Sequence, residues 1–432
     1  MAYEKQNFTD GQALTAEHLN HMEGGIAAAA GEKIANKGEI FNNYAANEAV
    51  GLHSHAEGTN TPDNDTDAKT ADFTFTDPYN VDETKTIRVN GTAAHGVASH
   101  TEGTNTLAYG HSAHAEGSGT LAAGGRSHAE GSGTKALGHR AHAEGAYTIA
   151  EGRSSHAEGE RCGSNVEVKF QKLANYADYN SLTDEKIVVN ETKANGVASH
   201  AEGQGCVTEG HIAHAEGMQS IAYGYVSHAE GYQSVASGSY AHAEGRSTNA
   251  IGIDSHAEGN STKAIGHQSH AEGEGCKATM DRAHAEGFKT EATGYNSHAE
   301  GKECKAWGDN SHAEGQITVA KGVASHAEGR CSQANAPGSH AEGLWTTAEG
   351  ECQHVQGKYN KIDNDNKYAH IVGNGTDMSV SGRSNAHTVD WKGNAWFAGS
   401  VEATHLILIS PNGTKFKVSV DDNGNLVTAK NG

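Results

Sequence analysis

The sequence predicts an all-β solenoid, a parallel roll built from turns of 14 residues. The first observation behind this is a histidine that returns to one place 18 times. It stands at His55, five times from His100 to His156 and twelve times from His200 to His354, spaced by 14 within each run. A period so short cannot encode separate domains, so each unit is one turn stacked on the next. The second observation is composition. Only 35% of the 432 residues are hydrophobic and 55 are glycine. That balance leans toward disorder, but a thin roll packed with Ala, Ser and Thr needs no large side chains.

One turn shows how the faces sort. Around His214, Ala213-His214-Ala215-Glu216-Gly217 and Ser220-Ile221-Ala222-Tyr223-Gly224 read as two five-residue strands. Each ends in glycine, which suits a two-residue corner because it tolerates positive φ; Met280 and Ala336 are exceptions. Strand side chains alternate between faces. Ala213, Ala215, Ser220 and Ala222 point inward because only small residues fit so narrow a coil. His214 and Glu216 then face outward from the first sheet, and Ile221 and Tyr223 from the second.

The two outer faces differ in character. The second carries Leu107, Lys135, Val207, Asn249, Glu291 and Thr347 at one phase, which reads as a solvated face. The first repeats His and Glu almost unchanged. Stacking sets the glutamates ~4.8 Å apart in a column beside a column of histidines. At an effective dielectric of 20, adjacent like charges there repel by about 3 kcal/mol before screening. A neighbouring chain of the same period relieves this by letting imidazoles of one copy meet carboxylates of the next. The expected interface of a homotrimer is thus His114, Glu116, His128, Glu130, His142, Glu144, His214, Glu216, His228 and Glu230. It continues through His242, Glu244, His256, Glu258, His270, Glu272, His298, Glu300, His312 and Glu314. Paired in this way, the face is expected to be most stable between the folded pKa values of its acids and its imidazoles.

Charge and cysteine narrow the function. The formal net charge is −22, and removing the 17 repeat glutamates leaves −5. No basic stripe appears, so nucleic acid is not an expected partner. No secretory signal and no run of 18 apolar residues is present, so neither export by that route nor membrane insertion is expected. Cys162, Cys206, Cys276 and Cys304 each lie six residues after a repeat histidine, where other turns carry Thr or Ser. They read as small inward residues, without disulfide or zinc spacing. His-x-Glu alone is a weak metal signal, and an active site is not normally repeated in every turn. No catalytic residue, metal or cofactor is expected.

The Ser-His-Ala-Glu-Gly pentapeptide at this period resembles the YadA-like head repeat of trimeric autotransporter adhesins, whose matching pentapeptide is Ser-Val-Ala-Ile-Gly. The resemblance covers residues 54–357, about 70% of the chain. It implies a left-handed parallel β-roll and a trimer in which the positions of His242 and Glu244 face the common interior. The family's interface is apolar there, and this one is polar. The ends resemble another class. Residues 7–26, from Asn7 to Ile26, look like the start of tail or baseplate fibres of phages of Gram-positive bacteria, and residues 384–401 like a segment near the C-terminus of such fibres.

Three regions leave the period. Insertions at about 62–91 and 163–191 contain alternating stretches, Phe73-Thr74-Phe75 and Val166-Glu167-Val168, and are expected to form small β-arms projecting from the roll. The N-terminal segment, 1–46, carries an expected helix over 13–30, with Thr15 as N-cap and Leu19, Met22 and Ile26 at helical spacing. Residues 358–432 follow the degenerate copy His354-Val355-Gln356-Gly357. They gather aromatics and place a hairpin signal at Asp421-Asp422-Asn423-Gly424, which predicts a β-rich tip. Tyr368, Trp391, Trp396 and Phe397 are its candidate receptor contacts, although a buried trimeric core is the commoner use of such residues.

The chain therefore reads as a trimeric, non-enzymatic tail fibre of a phage or phage-tail-like particle, made in the host cytoplasm. Its expected partners are baseplate or tail proteins at the N-terminal segment and a bacterial surface glycan or protein. The competing readings are a polysaccharide-acting tailspike enzyme and a polymer- or ice-binding solenoid.

Overall fold

The computed structural model describes residues 39–40, 47–58, 71–89, 91–174, 181–403 and 406–430. The helix expected over 13–30 lies outside them. Every described regular element is a β-strand. The chain divides into two compact units, Met1–Gly301 and Lys302–Gly432.

In the first unit two parallel ladders run side by side in strict register. His228 pairs with His242, Glu230 with Glu244 and Gly231 with Gly245. In the second ladder Ile221 pairs with Val235 and Ala222 with Ala236. Alanine fills the interior from both sides, and Ala215 and Ala222 are fully buried. The serine before the histidine is also inside, where its hydroxyl donates to a glycine carbonyl, as Ser227 does to Gly224 at 2.7 Å. The first strand of the turn spans His214–Met218, one residue later than expected, and the second shrinks to Ile221–Ala222.

Glycine acts differently at the two corners. After the first strand Gly231 has φ of 102°, and a Cβ there would run into the carbonyl oxygen of Gly245. The glycine after the second strand, such as Gly224, is not in the left-handed region. It is needed because a Cβ would strike the Gly238 carbonyl oxygen. The positive φ falls two residues later, on Val226 (53°) and Tyr240 (57°). The turn thus places side chains where glycine costs least.

The two insertions leave the ladders intact. His55 pairs with His100 across the first, and His156 with His200 across the second. Each insertion is an antiparallel hairpin, Ala71–Asp77 with Asn80–Val89 and Val166–Leu173 with Leu182–Val189. Neither projects as the sequence reading expected. Both lie flat on the outer face of the second ladder. Phe73 and Phe75 of the first arm pack on Leu107 and Leu121, and Val168 and Phe170 of the second pack on Val207, Ile221 and Val235. The cause is hydrophobic: both faces are apolar where they meet, and burying a side chain of this size contributes about 1.5–3 kcal/mol. A lysine–tyrosine contact pins each arm, Lys85 to Tyr109 at 2.6 Å and Lys172 to Tyr223 at 3.1 Å. This part of the second face is therefore covered rather than solvated.

In the second unit a parallel ladder of the same kind joins His312, His326, His340 and His354. It does not stop at 357. His370-Ile371-Val372-Gly373 adds a parallel strand opposite His354-Val355-Gln356-Gly357. The step here is 16 residues, so a search at 14 misses it. Two antiparallel strands follow, Asn385–Asp390 and Ala395–Phe397. A separate three-stranded antiparallel sheet, Leu406–Ile409, Lys415–Val420 and Leu426–Lys430, ends the chain. Its second hairpin turns at Asp421, whose carboxylate accepts from the amides of Asn423 and Asn425.

Candidate functional site

The parallel register converts the repeated pentapeptide into two columns of titratable side chains on the outer face of the first ladder. In the first unit the imidazoles of His114, His128 and His142 stack with planes within 2° and centroids 4.7–4.8 Å apart. The same stacking runs from His200 through His284, and His298 joins it at 4.6 Å. In the second unit His312, His326, His340 and His354 repeat it at 4.7 Å.

Beside the imidazoles lie carboxylates at 3.2 to 3.9 Å, nearest at His55 and Glu57. His114 Nε2 stands 3.7 Å from Glu116, and His142 Nε2 stands 3.9 Å from both Glu130 and Glu144. The Nε2 atoms of His114, His128, His142, His214, His228, His242, His256 and His270 are buried and have no hydrogen-bond partner within the chain. Leaving such an atom unpaired costs about 1–3 kcal/mol, and here the deficit recurs turn after turn.

The protonation directions follow from the stacking. His114, His128, His214, His228 and His256 are held below their ordinary value, first by burial and then by neighbouring histidines. At these five positions the neutral imidazole is favoured. Glutamates show the complementary effect. Shared hydrogen bonds with Glu102 and Glu130 push Glu116 up to about 7, while its bond to Glu116 holds Glu102 low. Burial and the charges of Glu244 and Glu216 raise Glu230. These are the like-charge consequences expected of a carboxylate column. Within the chain the His–Glu attraction is present but smaller than burial and the repulsion between like groups.

Glycine leaves a trough next to the glutamates. Glu57, Glu102, Glu116, Glu130, Glu144, Glu158 and Glu202, with the glycine after each, line an open groove of about 1090 Å³. Sets such as His114, Glu116 and His128 bring ligand atoms within 4.8 Å of one another. Parallel imidazole planes, however, direct their Nε2 lone pairs side by side and not toward one point. A tetrahedral ion bound at about 2.0–2.1 Å needs converging donors, so this arrangement is not a preformed metal centre.

The aromatic candidates of the C-terminal region do not form one platform. Phe397 stacks on His387 at 4.5 Å, and His387 meets His370, which meets His354. Phe397 thereby continues the histidine column. Trp396, its neighbour in the strand, points to the opposite face. The Trp391 indole donates to the Asn366 carbonyl at 3.0 Å, and Tyr368 is half-buried beside Lys367. The sequence reading missed His370 and His387, since neither lies on the 14-residue period.

Among known families, the YadA head domain repeat matches in two copies, at residues 129–155 and 215–241. Both lie within the stacked turns described above. No curated protein matches the chain. Over those two stretches the roll is similar to the YadA head repeat.

Proposed function

We propose that this chain is the structural and adhesive subunit of a homotrimeric fibre, whose roll is the shaft and whose His/Glu face is the assembly surface. The observation that carries this reading is the outward His/Glu face, whose side chains stay about one-third exposed, 35% at His114 and 30% at Glu116, and recur turn after turn. A neutral imidazole has one ring N–H to donate, and a neighbouring chain's carboxylate is an acceptor for it. Only a ligand with the same 4.7–4.8 Å repeat satisfies every turn alike, and another copy of the chain has that repeat by definition. The YadA-type roll supports three copies, as in the trimeric adhesins it resembles.

The fibre reading extends to a phage tail or phage-tail-like particle, attached through its N-terminal segment to baseplate or tail proteins. Its target is a bacterial surface glycan or protein, and three chains multiply weak contacts into avidity. The test is direct. Labelled full-length protein is incubated with Gram-positive cells and with their purified wall polysaccharides. Saturable binding without release of reducing sugar ends supports adhesion; progressive release of sugar ends supports the tailspike-enzyme reading instead.

A further inference from the structure

We infer that the C-terminal three-stranded sheet is a self-association surface that fixes the register of the assembled chains. The inference rests on the trimer reading above and adds a role that the roll itself cannot perform.

Periodicity carries a weakness. A copy displaced along the column by one turn meets the same histidines and glutamates it met before. The His/Glu face therefore selects a partner without selecting an alignment, just as uniform strands specify register weakly. An assembly of repeats needs an aperiodic element to penalise the slipped states.

The terminal sheet supplies one. Leu406 pairs with Val418 and Leu408 with Phe416, while Val420 pairs with Leu426. Residues paired across a ladder share a face, so these six side chains form one apolar surface, bordered by Thr428 and Lys430. It is uncovered: Leu408 is 55%, Val420 63% and Leu426 73% exposed. The reverse face is mixed, with Lys415 and Lys417 beside Ile407 and Ile409. A contiguous apolar face of this kind marks an interaction site, and three strands alone need such a face buried to be stable.

A second copy of the same sheet is the occupant that fits it. The histidine column runs by ring contacts from His354 through His370 and His387 to Phe397. The proposed assembly face thus reaches within nine residues of Leu406. Copies aligned along that column bring their terminal sheets together. The apolar face offers no charge pattern to a foreign partner, whereas its own copies match it in shape and polarity.

The experiment uses full-length protein and a double variant, Leu408→Asp with Val418→Asp. Isotope-labelled and unlabelled chains are mixed, refolded and cross-linked through lysines, and interchain links are identified by mass spectrometry. Hydrogen exchange of Leu406–Ile409 and Lys415–Val420 is measured on the wild type alone. The wild type is expected to give links between one set of positions and protected terminal strands. The variant is expected to assemble still, but with added links displaced by one or more turns. A variant that keeps the single register overturns the inference, as do unprotected terminal strands in an assembled wild type; both leave the trimer reading standing. A wild type without interchain links overturns the trimer reading and this inference with it.

Discussion

At the residue scale, two positions carry most of the strain in each turn. Val226 is β-branched and sits at φ 53°, a conformation costing roughly 1–2 kcal/mol in an L-residue. Val226→Gly is expected to raise stability by about 1 kcal/mol, read from denaturant melts. Gly231→Ala should do the reverse, costing roughly 3 kcal/mol or more, because its methyl would meet the Gly245 carbonyl. Glu116 offers a test with a pH signature. Its carboxyl is raised to about 7 from 4.5 by Glu102 and Glu130, so ionising it costs the folded state above that range. Glu116→Gln should therefore raise the melting temperature above pH 7 and bring little change at pH 4, where the carboxyl is already protonated. An equal gain at both pH values would contradict the shared-proton column.

At the element scale, the arms show how far the sequence could be read. Two hairpins were legible from Phe73-Thr74-Phe75 and Val166-Glu167-Val168, but their docking was not inferred. The signal was present in the variable column. Leu107 and Leu121, and Val207, Ile221 and Val235, occupy positions that carry Lys277 and Lys305 in turns away from the arms. Reading that column as uniformly solvated averaged over the difference. Similarly, the glycines were legible but their reasons were not: close approach at Gly224 depends on the neighbouring turn, and a period cannot reveal it. The added strand at His370 was hidden by a two-residue change in spacing. The docking predicts separable stabilities. Phe170→Ala should cost the second arm roughly 3–5 kcal/mol and admit protease between Val166 and Val189. Because His156 and His200 pair directly across the insertion, the melting of the roll should remain unchanged. Joint loss of arm and roll would show that the hairpin is part of the stack.

At the scale of the whole molecule, the columns make stability depend on pH. Eight histidines in them are held below the ordinary value of 6.5. As pH falls through 6.5 the unfolded chain takes up protons first, so folding stability is full above that pH and lost on acidification below it. Glu116 and Glu230 oppose this, since the folded chain protonates them first as pH falls, but fewer groups are involved. The melting temperature is expected to drop from pH 7 to pH 5. A rise over that interval would contradict the neutral imidazole stack.

All of this converges on a face that one chain leaves unsatisfied. Its most direct test is the mass of the purified full-length protein by light scattering at neutral pH. The account predicts three chains of 45.0 kDa each, independent of dilution over the working range. A single 45.0 kDa chain, with its histidine column open to water, would contradict it.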